Sequence, residues 1–406
     1  MSSPRALRRS RKLRLVLLLA LAFAGLGAAS AAALSPFAGP SDVPPLGTRG
    51  IAISRLGDSY SPKQDYNRYG YVIVGDADAA AAGALSAKAL VYMSGSSIRQ
   101  FLFFGVSYNE AASNGWLLKD SSGNYLRNPQ FEAYIADVGN PAYQKQWASN
   151  VAAVLARNHD DGVFIDDVFA DIGVVTDQYP AKYPNQQAWE NAELSFVRYV
   201  GQYLKARGYY VLASATGRVR DDARSNSGEL TSLFWKQLAP WVSGLYCEYW
   251  LQLPSNTAQL RSAGSDDWTK WWGRWQSLVR VAQNAGADFF AEMYGTAAST
   301  NVMRYGRASF LLDWDGKGGA FEFAPLDYSA DPWNPEWTMQ IGHPAGRKFR
   351  VGVGWRRNYT SGVALVNPSA TTPQRVRFAR TYYRADGTPV RAITLDPTSG
   401  VVLRLK

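Results

Sequence analysis

Eight short apolar runs recur between residues 50 and 314, many followed by helical stretches. They are GIAISRL (50–56), YGYVIVGD (69–76), AKALVYMSG (87–95), DGVFIDDV (161–168), YYVLASATG (209–217), SGLYCEYW (243–250), ADFFAEMYG (287–295) and ASFLLDW (308–314). Several are near-continuous rather than alternating, as strands buried on both faces of a parallel sheet are. Helical patterns fill 140–159, 186–208 and 268–286. Eight strand–helix units in about 270 residues predict an α/β chain with a (β/α)8 TIM barrel. An open doubly wound sheet is the rival, but no G-x-G-x-x-G follows the first run, so a dinucleotide site has no support. The stretch after the third run, residues 95–139, is long for a βα loop, and such loops serve the active-site face of a barrel.

Composition shifts after about residue 325, where short alternating runs are broken by NP, DG and SG turns. They predict a small C-terminal all-β, sandwich-like domain over 326–406, behind a barrel over 49–325. At the other end, residues 4–14 carry six Lys or Arg and no acid, followed by the apolar run LVLLLALAFAGLGAAS and small residues. That order reads as a secretory signal over 1–33. The Pro/Gly/Ser-rich stretch 34–48 reads as a linker. The expected product is exported, with no stable membrane insertion once the signal is cleaved.

Charge and residue counts narrow the chemistry. The chain is +10 overall, and the signal holds six of those charges, leaving about +4 with no basic stripe to call for nucleic acid. Two histidines argue against a multi-His metal centre, and no metal or cofactor is expected. Cys247 is the single cysteine, so an exported chain here relies on its core rather than on an internal disulfide. The 47% hydrophobic composition makes that feasible.

Catalytic groups of a TIM barrel sit at the C-terminal ends of its strands. Here those ends carry Asp166 and Asp167, Glu248, Glu292 and Asp313, with no histidine or cysteine base among them. Paired carboxylates suit glycosidic bond cleavage, one protonated to donate to the leaving oxygen and one ionised as nucleophile or base. Because side chains alternate along a strand, Asp166 and Asp167 are not expected to face the barrel mouth together. One of them is expected to cap the following helix, and Asp167 is given the supporting role. Glu248, among Tyr246, Tyr249 and Trp250, is the expected acid/base, with Glu292 beside Tyr294 as its alternate. Arg55, Asp58 and Tyr92 end early strands and are candidates for binding sugar hydroxyls. Trp116, Tyr249, Trp250, Tyr294 and Asp313 complete the expected binding set. The Trp cluster at 268–275 reads better as a helix packing on the barrel than as a sugar-binding stripe.

D-G-V-F-I-D resembles the fourth-strand motif of alpha-amylase-like barrels, whose last Asp is the nucleophile; that position is Asp166 here. A wider series resembles the hypothetical barrel glycosyl hydrolases of bacteria: Y-V-I-V, A-L-V-Y-M, W-L-L-K-D-x-x-G, A-D-V-G-N-P-A-Y, D-G-V-F-I-D-D-V and a terminal V-A-L-V-N-P, in that order. The resemblance implies glycosidic bond hydrolysis. The chain departs from alpha-amylases at the fifth strand, which ends in A-S-A-T-G without a Glu, so the acid must come from elsewhere. Poly- or oligosaccharide is the expected substrate. A carbohydrate-binding barrel without catalysis and a transglycosidase are the alternatives, since fold alone does not settle function.

Overall fold

The computed structural model describes residues 51–53, 69–76, 79–80, 83, 86–174, 176, 178–216, 227–254, 256–264, 271–326, 334–339 and 341–406. In chain order the barrel elements are β1 (Ile51–Ile53), β2 (Tyr71–Val74), β3 (Lys88–Ser94), β4 (Ser97–Ile98), α1 (Tyr108–Ser113), β5 (Arg127–Asn128), β6 (Ala133–Ile135), α2 (Pro141–Asn158), β7 (Gly162–Phe169), α3 (Gln186–Lys205), β8 (Tyr210–Thr216), α4 (Ser227–Leu238), β9 (Gly244–Cys247), β10 (Gln252–Leu253), β11 (Asn256–Leu260), α5 (Trp272–Asn284), β12 (Asp288–Tyr294), α6 (Thr300–Asp313) and β13 (Ala320–Ala324). Six further strands follow: β14 (Phe349–Val351), β15 (Gly354–Tyr359), β16 (Gly362–Asn367), β17 (Gln374–Tyr383), β18 (Pro389–Leu395) and β19 (Ser399–Arg404).

Eight parallel strands join in the order β1-β2-β3-β7-β8-β9-β12-β13, and β1 lies beside β13, so the sheet curls into the expected barrel. Alternation along the strands sends Tyr71, Ile73, Leu90, Phe164, Leu212, Tyr246, Phe290 and Ala320 inward, where they fill the interior. The opposite faces of the strands pack on the helices as one large core. Gly162 opens β7 because a Cβ there would stand 2.0 Å from the Tyr210 carbonyl oxygen.

The eighth strand is not where the sequence pattern put it. ASFLLDW lies in α6, and the strand is Ala320–Ala324, AFEFA. A short apolar run does not distinguish a strand from a helix buried on all sides. Residues 308–312 are buried all round because α6 is sandwiched between the barrel and the C-terminal sheet.

That sheet is antiparallel, with strand order β14-β15-β16-β19-β17-β18. Period two divides its faces. Ala364, Val366 and Val402 join the barrel core, whereas Val363, Leu365, Val401 and Leu403 enclose a second core with Phe378 and Tyr382. It also caps α6: Arg357 donates to the Leu311 and Trp314 carbonyls, and the Tyr359 hydroxyl to Leu311 at 2.6 Å. No described helix is long and apolar enough to cross a membrane.

Candidate active site

The carboxyl ends of the strands open into a cavity of about 330 Å³. Tyr92, Phe164, Asp166, Asp167, Glu248, Tyr249 and Tyr294 line it from the barrel, and Leu326 from the segment after β13. The long stretch between β3 and α2 supplies Ser97, Arg99, Phe104, Gln130 and Phe131. That stretch carries a small sheet, β4-β6-β5. It is tied to the barrel by the Trp147 indole N–H, which is shared by the Ser94 carbonyl at 3.0 Å and the Phe104 carbonyl at 2.9 Å.

Both aspartates face this cavity, contrary to the alternation argument. The register of β7 against β8 shifts between Ile165 and Val168, and Asp167 adopts φ +59°. This β-bulge inserts one residue into the strand. Asp is among the few residues that tolerate the left-handed region. Asp167 does not cap a helix: its Oδ2 accepts from Ser94 Oγ at 2.6 Å, and its carbonyl accepts from Ser96 Oγ at 2.7 Å.

The two candidate catalytic carboxyls differ in their surroundings. Asp166 Oδ2 accepts from the Tyr92 hydroxyl at 2.5 Å, and Oδ1 from the Asp167 amide at 2.8 Å. Burial pushes the Asp166 carboxyl up to about 7, and the Asp167 charge adds to this; the bonds from Tyr92, the Asp167 amide and Ser214 pull it down. Glu248 follows β9 in line with inward-facing Tyr246, so it points into the mouth. Burial first, then the charges of Asp166, Glu292 and Asp167, holds its carboxyl well above the usual range. No described residue donates a hydrogen bond to that carboxyl. Next to it, Tyr249 sits at φ +47°, a strained conformation for a tyrosine, and its ring meets that of Tyr294 at 4.6 Å.

Glu292 stands behind this wall. Its side chain is 0% exposed, does not line the cavity, and accepts from the Tyr294 hydroxyl at 2.6 Å. Glu322 of β13, paired in register with Glu292, escaped the sequence reading because its strand was misplaced; it accepts from Tyr246 at 2.7 Å.

Three expected binding residues lie elsewhere. Trp116 is 7% exposed and packs edge-on against Tyr143, anchoring the long loop. Trp250 is fully buried, donates to the Trp275 carbonyl at 2.6 Å and packs on Phe289 and Phe321. Asp313 ends α6 and accepts from Lys348 at 2.6 Å and from Gln276 at 2.8 Å, a polar cluster against the C-terminal sheet. Arg55 and Asp58 lie outside the described residues. Trp272 and Trp275 of the Trp cluster are buried, as expected of a helix packing on the barrel. Of the cavity residues that sequence reasoning missed, Ser97, Arg99, Phe104, Gln130 and Phe131 lie in the stretch whose length had pointed to the active-site face, while Phe164 lies on β7 and Leu326 after β13. Among the described residues no group of three or more His, Cys, Asp or Glu side chains is arranged to hold a metal ion.

The family described as "Hypothetical glycosyl hydrolase family 15" matches residues 88–363. An alpha-amylase from Anoxybacillus and the noncanonic maltogenic alpha-amylase AmyB from Thermotoga neapolitana share the fold. Each has 9% sequence identity and a TM-score of 0.50, over 88% of this chain and 98% of the other. No curated protein matches this chain in sequence.

Proposed function

This chain belongs to the hypothetical glycosyl hydrolase family 15 and is a glycoside hydrolase; on that premise we propose that it cleaves O-glycosidic bonds of a poly- or oligosaccharide with Asp166 and Glu248. The observation that carries the assignment is the contrast between two carboxyls on one cavity. Asp166 receives hydrogen bonds that favour its ionised form. Glu248 receives none from the described residues, and burial favours its neutral form. Environments that push two carboxyl pKa values apart divide the acid and base roles between them. Glu248 then donates its proton to the leaving glycosidic oxygen, and Asp166 attacks the anomeric carbon or draws a proton from water. Glu292 is a supporting group: after burial and the Asp166 charge, its own charge raises the proton affinity of Glu248. Tyr249 and Tyr294 offer apolar surface to a sugar ring. The basic, apolar and small-residue order of residues 4–33 supports export.

The test is sugar release from a panel of plant and bacterial polysaccharides by wild type, Asp166→Asn and Glu248→Gln, with folding checked by circular dichroism. Wild-type release that drops about 100-fold or more in each folded variant is expected. Retention of activity by Glu248→Gln would transfer the acid role to another carboxyl. Binding without release by all three proteins would favour a non-catalytic barrel.

A further inference from the structure

We propose that Arg99 forms a subsite for the anionic group of an acidic sugar, so that the substrate is a glycan carrying uronate or sulfate; this rests on the hydrolase reading above. Arg99 is the only basic residue among the described residues lining the cavity. Its guanidinium lies 5.7 Å from the centre of the Phe104 ring and 5.5 Å from that of Phe131. Two aromatic faces hold it in place and strip part of its water. Its Nε is buried without an acceptor, and the terminal nitrogens donate to no described residue. Asp167 is near enough to feel the Arg99 charge, but the two form no ion pair, and the Asp167 oxygens are engaged by Ser94 and Ser97.

A guanidinium presents five donors in a fixed fork. Sugar hydroxyls satisfy it poorly, whereas a carboxylate or sulfate accepts two parallel bonds from it. Gln130, on the same wall, adds an amide that binds either the anion or a neighbouring hydroxyl. The carboxyls across the cavity do not forbid an anion. Burial raises the pKa values of Asp167, Glu248 and Asp166, the last to about 7, and so weakens the negative charge that an anion meets. The subsite comes from the loop between β3 and α2 rather than from the barrel strands, so it distinguishes substrates without altering the catalytic pair.

The experiment uses tetrasaccharides of galacturonate, mannuronate and hyaluronan, each beside its carboxyl-reduced neutral form, with a carrageenan tetrasaccharide as the sulfated arm. Cleavage and calorimetric binding are measured for wild type, Arg99→Ala and Arg99→Lys. An acidic tetrasaccharide should bind better than its neutral form. Arg99→Ala should weaken that binding, and raise KM, about 10- to 100-fold, with less than about 3-fold change on the neutral form. Arg99→Lys should restore part of the loss, because it keeps the charge without the fork. An equal loss on acidic and neutral forms would overturn the subsite and make Arg99 a positioning residue acting through Asp167. Cleavage of neutral glycans with no acidic preference would also overturn it, while leaving the hydrolase reading intact. Arg99-dependent binding of an acidic tetrasaccharide without cleavage of any glycan would keep the subsite and sink the hydrolase reading. Neither binding nor cleavage of any glycan would end both.

Discussion

Replacing Tyr92 with Phe removes one oxygen atom from the cavity wall and leaves the ring in place. The lost hydroxyl donates to Asp166 Oδ2 at 2.5 Å and favours the carboxylate over the acid. Burial already holds Asp166 at about 7. A hydrogen bond to a charged group contributes about 1.5–3 kcal/mol, and one pKa unit corresponds to about 1.4 kcal/mol. Losing the bond therefore raises Asp166 by roughly one to two units. The ionised fraction at pH 7 falls from about one half to between roughly 1 and 10%, so kcat/KM there drops about 5- to 50-fold. A raised pKa moves the acidic limb of the profile toward higher pH, so the variant's deficit relative to wild type shrinks as pH rises above about 7. Burial and its acidic neighbours raise the Glu248 carboxyl as well, and its deprotonation sets the basic limb of the same profile. The assay is kcat/KM of wild type and variant from pH ~5 to ~10 on a substrate that wild type cleaves. A uniform loss with the acidic limb unmoved would refute the reasoning, because Tyr92 would then be binding sugar rather than holding the charge of Asp166.

Two structural predictions follow from the same packing. Glu193 of α3 is fully buried, and neither of its oxygens forms a well-aligned hydrogen bond; burial first, then the Asp167 charge, pushes its pKa well above the ordinary value. Such a group adds no ionisation cost below the pKa of the unfolded chain, and stability is lost as pH rises above that value. Glu193→Gln should gain about 1–3 kcal/mol relative to wild type at pH ~8 over the difference at pH ~4, read from denaturant unfolding at both pH values; parallel stabilities would dispose of it. Gly162→Ala drives a Cβ into the immobile Tyr210 carbonyl and should cost about 1–3 kcal/mol. An unchanged denaturation midpoint would show that β7 and β8 separate more easily than their register implies.

The barrel was legible where residues repeat a simple physical pattern. Continuous β-rich runs bounded by polar residues became β2, β3, β7, β8, β9 and β12 because strands of a parallel sheet are buried on both faces. The same rule failed at α6, where a helix is also buried on both faces, so burial without a period no longer distinguishes the two. That one misplacement hid Glu322 and made Asp313 look like a strand-end acid, although Lys348 arrives from a segment 35 residues later. The stacking candidates Trp116 and Trp250 were misjudged for a related reason: a tryptophan near a strand end fills the core as readily as it faces a ligand, and only the fold decides which. The carboxyls at the mouth were legible because acids at the end of a buried strand are costly without a polar site.

The pairing of Asp166 with Asp167 was not legible, and the bulge explains why. Strict alternation admits one of two adjacent side chains to the mouth, and it predicts that the other faces the helices. The left-handed turn at Asp167 cancels that prediction by adding one residue to β7 without adding a partner on β8. Its consequence is chemical as well as geometric. Two adjacent carboxyls now share one cavity, the Asp167 charge raises the proton affinity of Asp166, and the hydroxyls of Tyr92 and Ser94 are each committed to one of them. A strand without the bulge would turn Asp167 toward the helix layer, where α3 already carries the unpartnered Glu193. The bulge thus moves a charge out of the core and into the cavity, where a second carboxyl tunes the first.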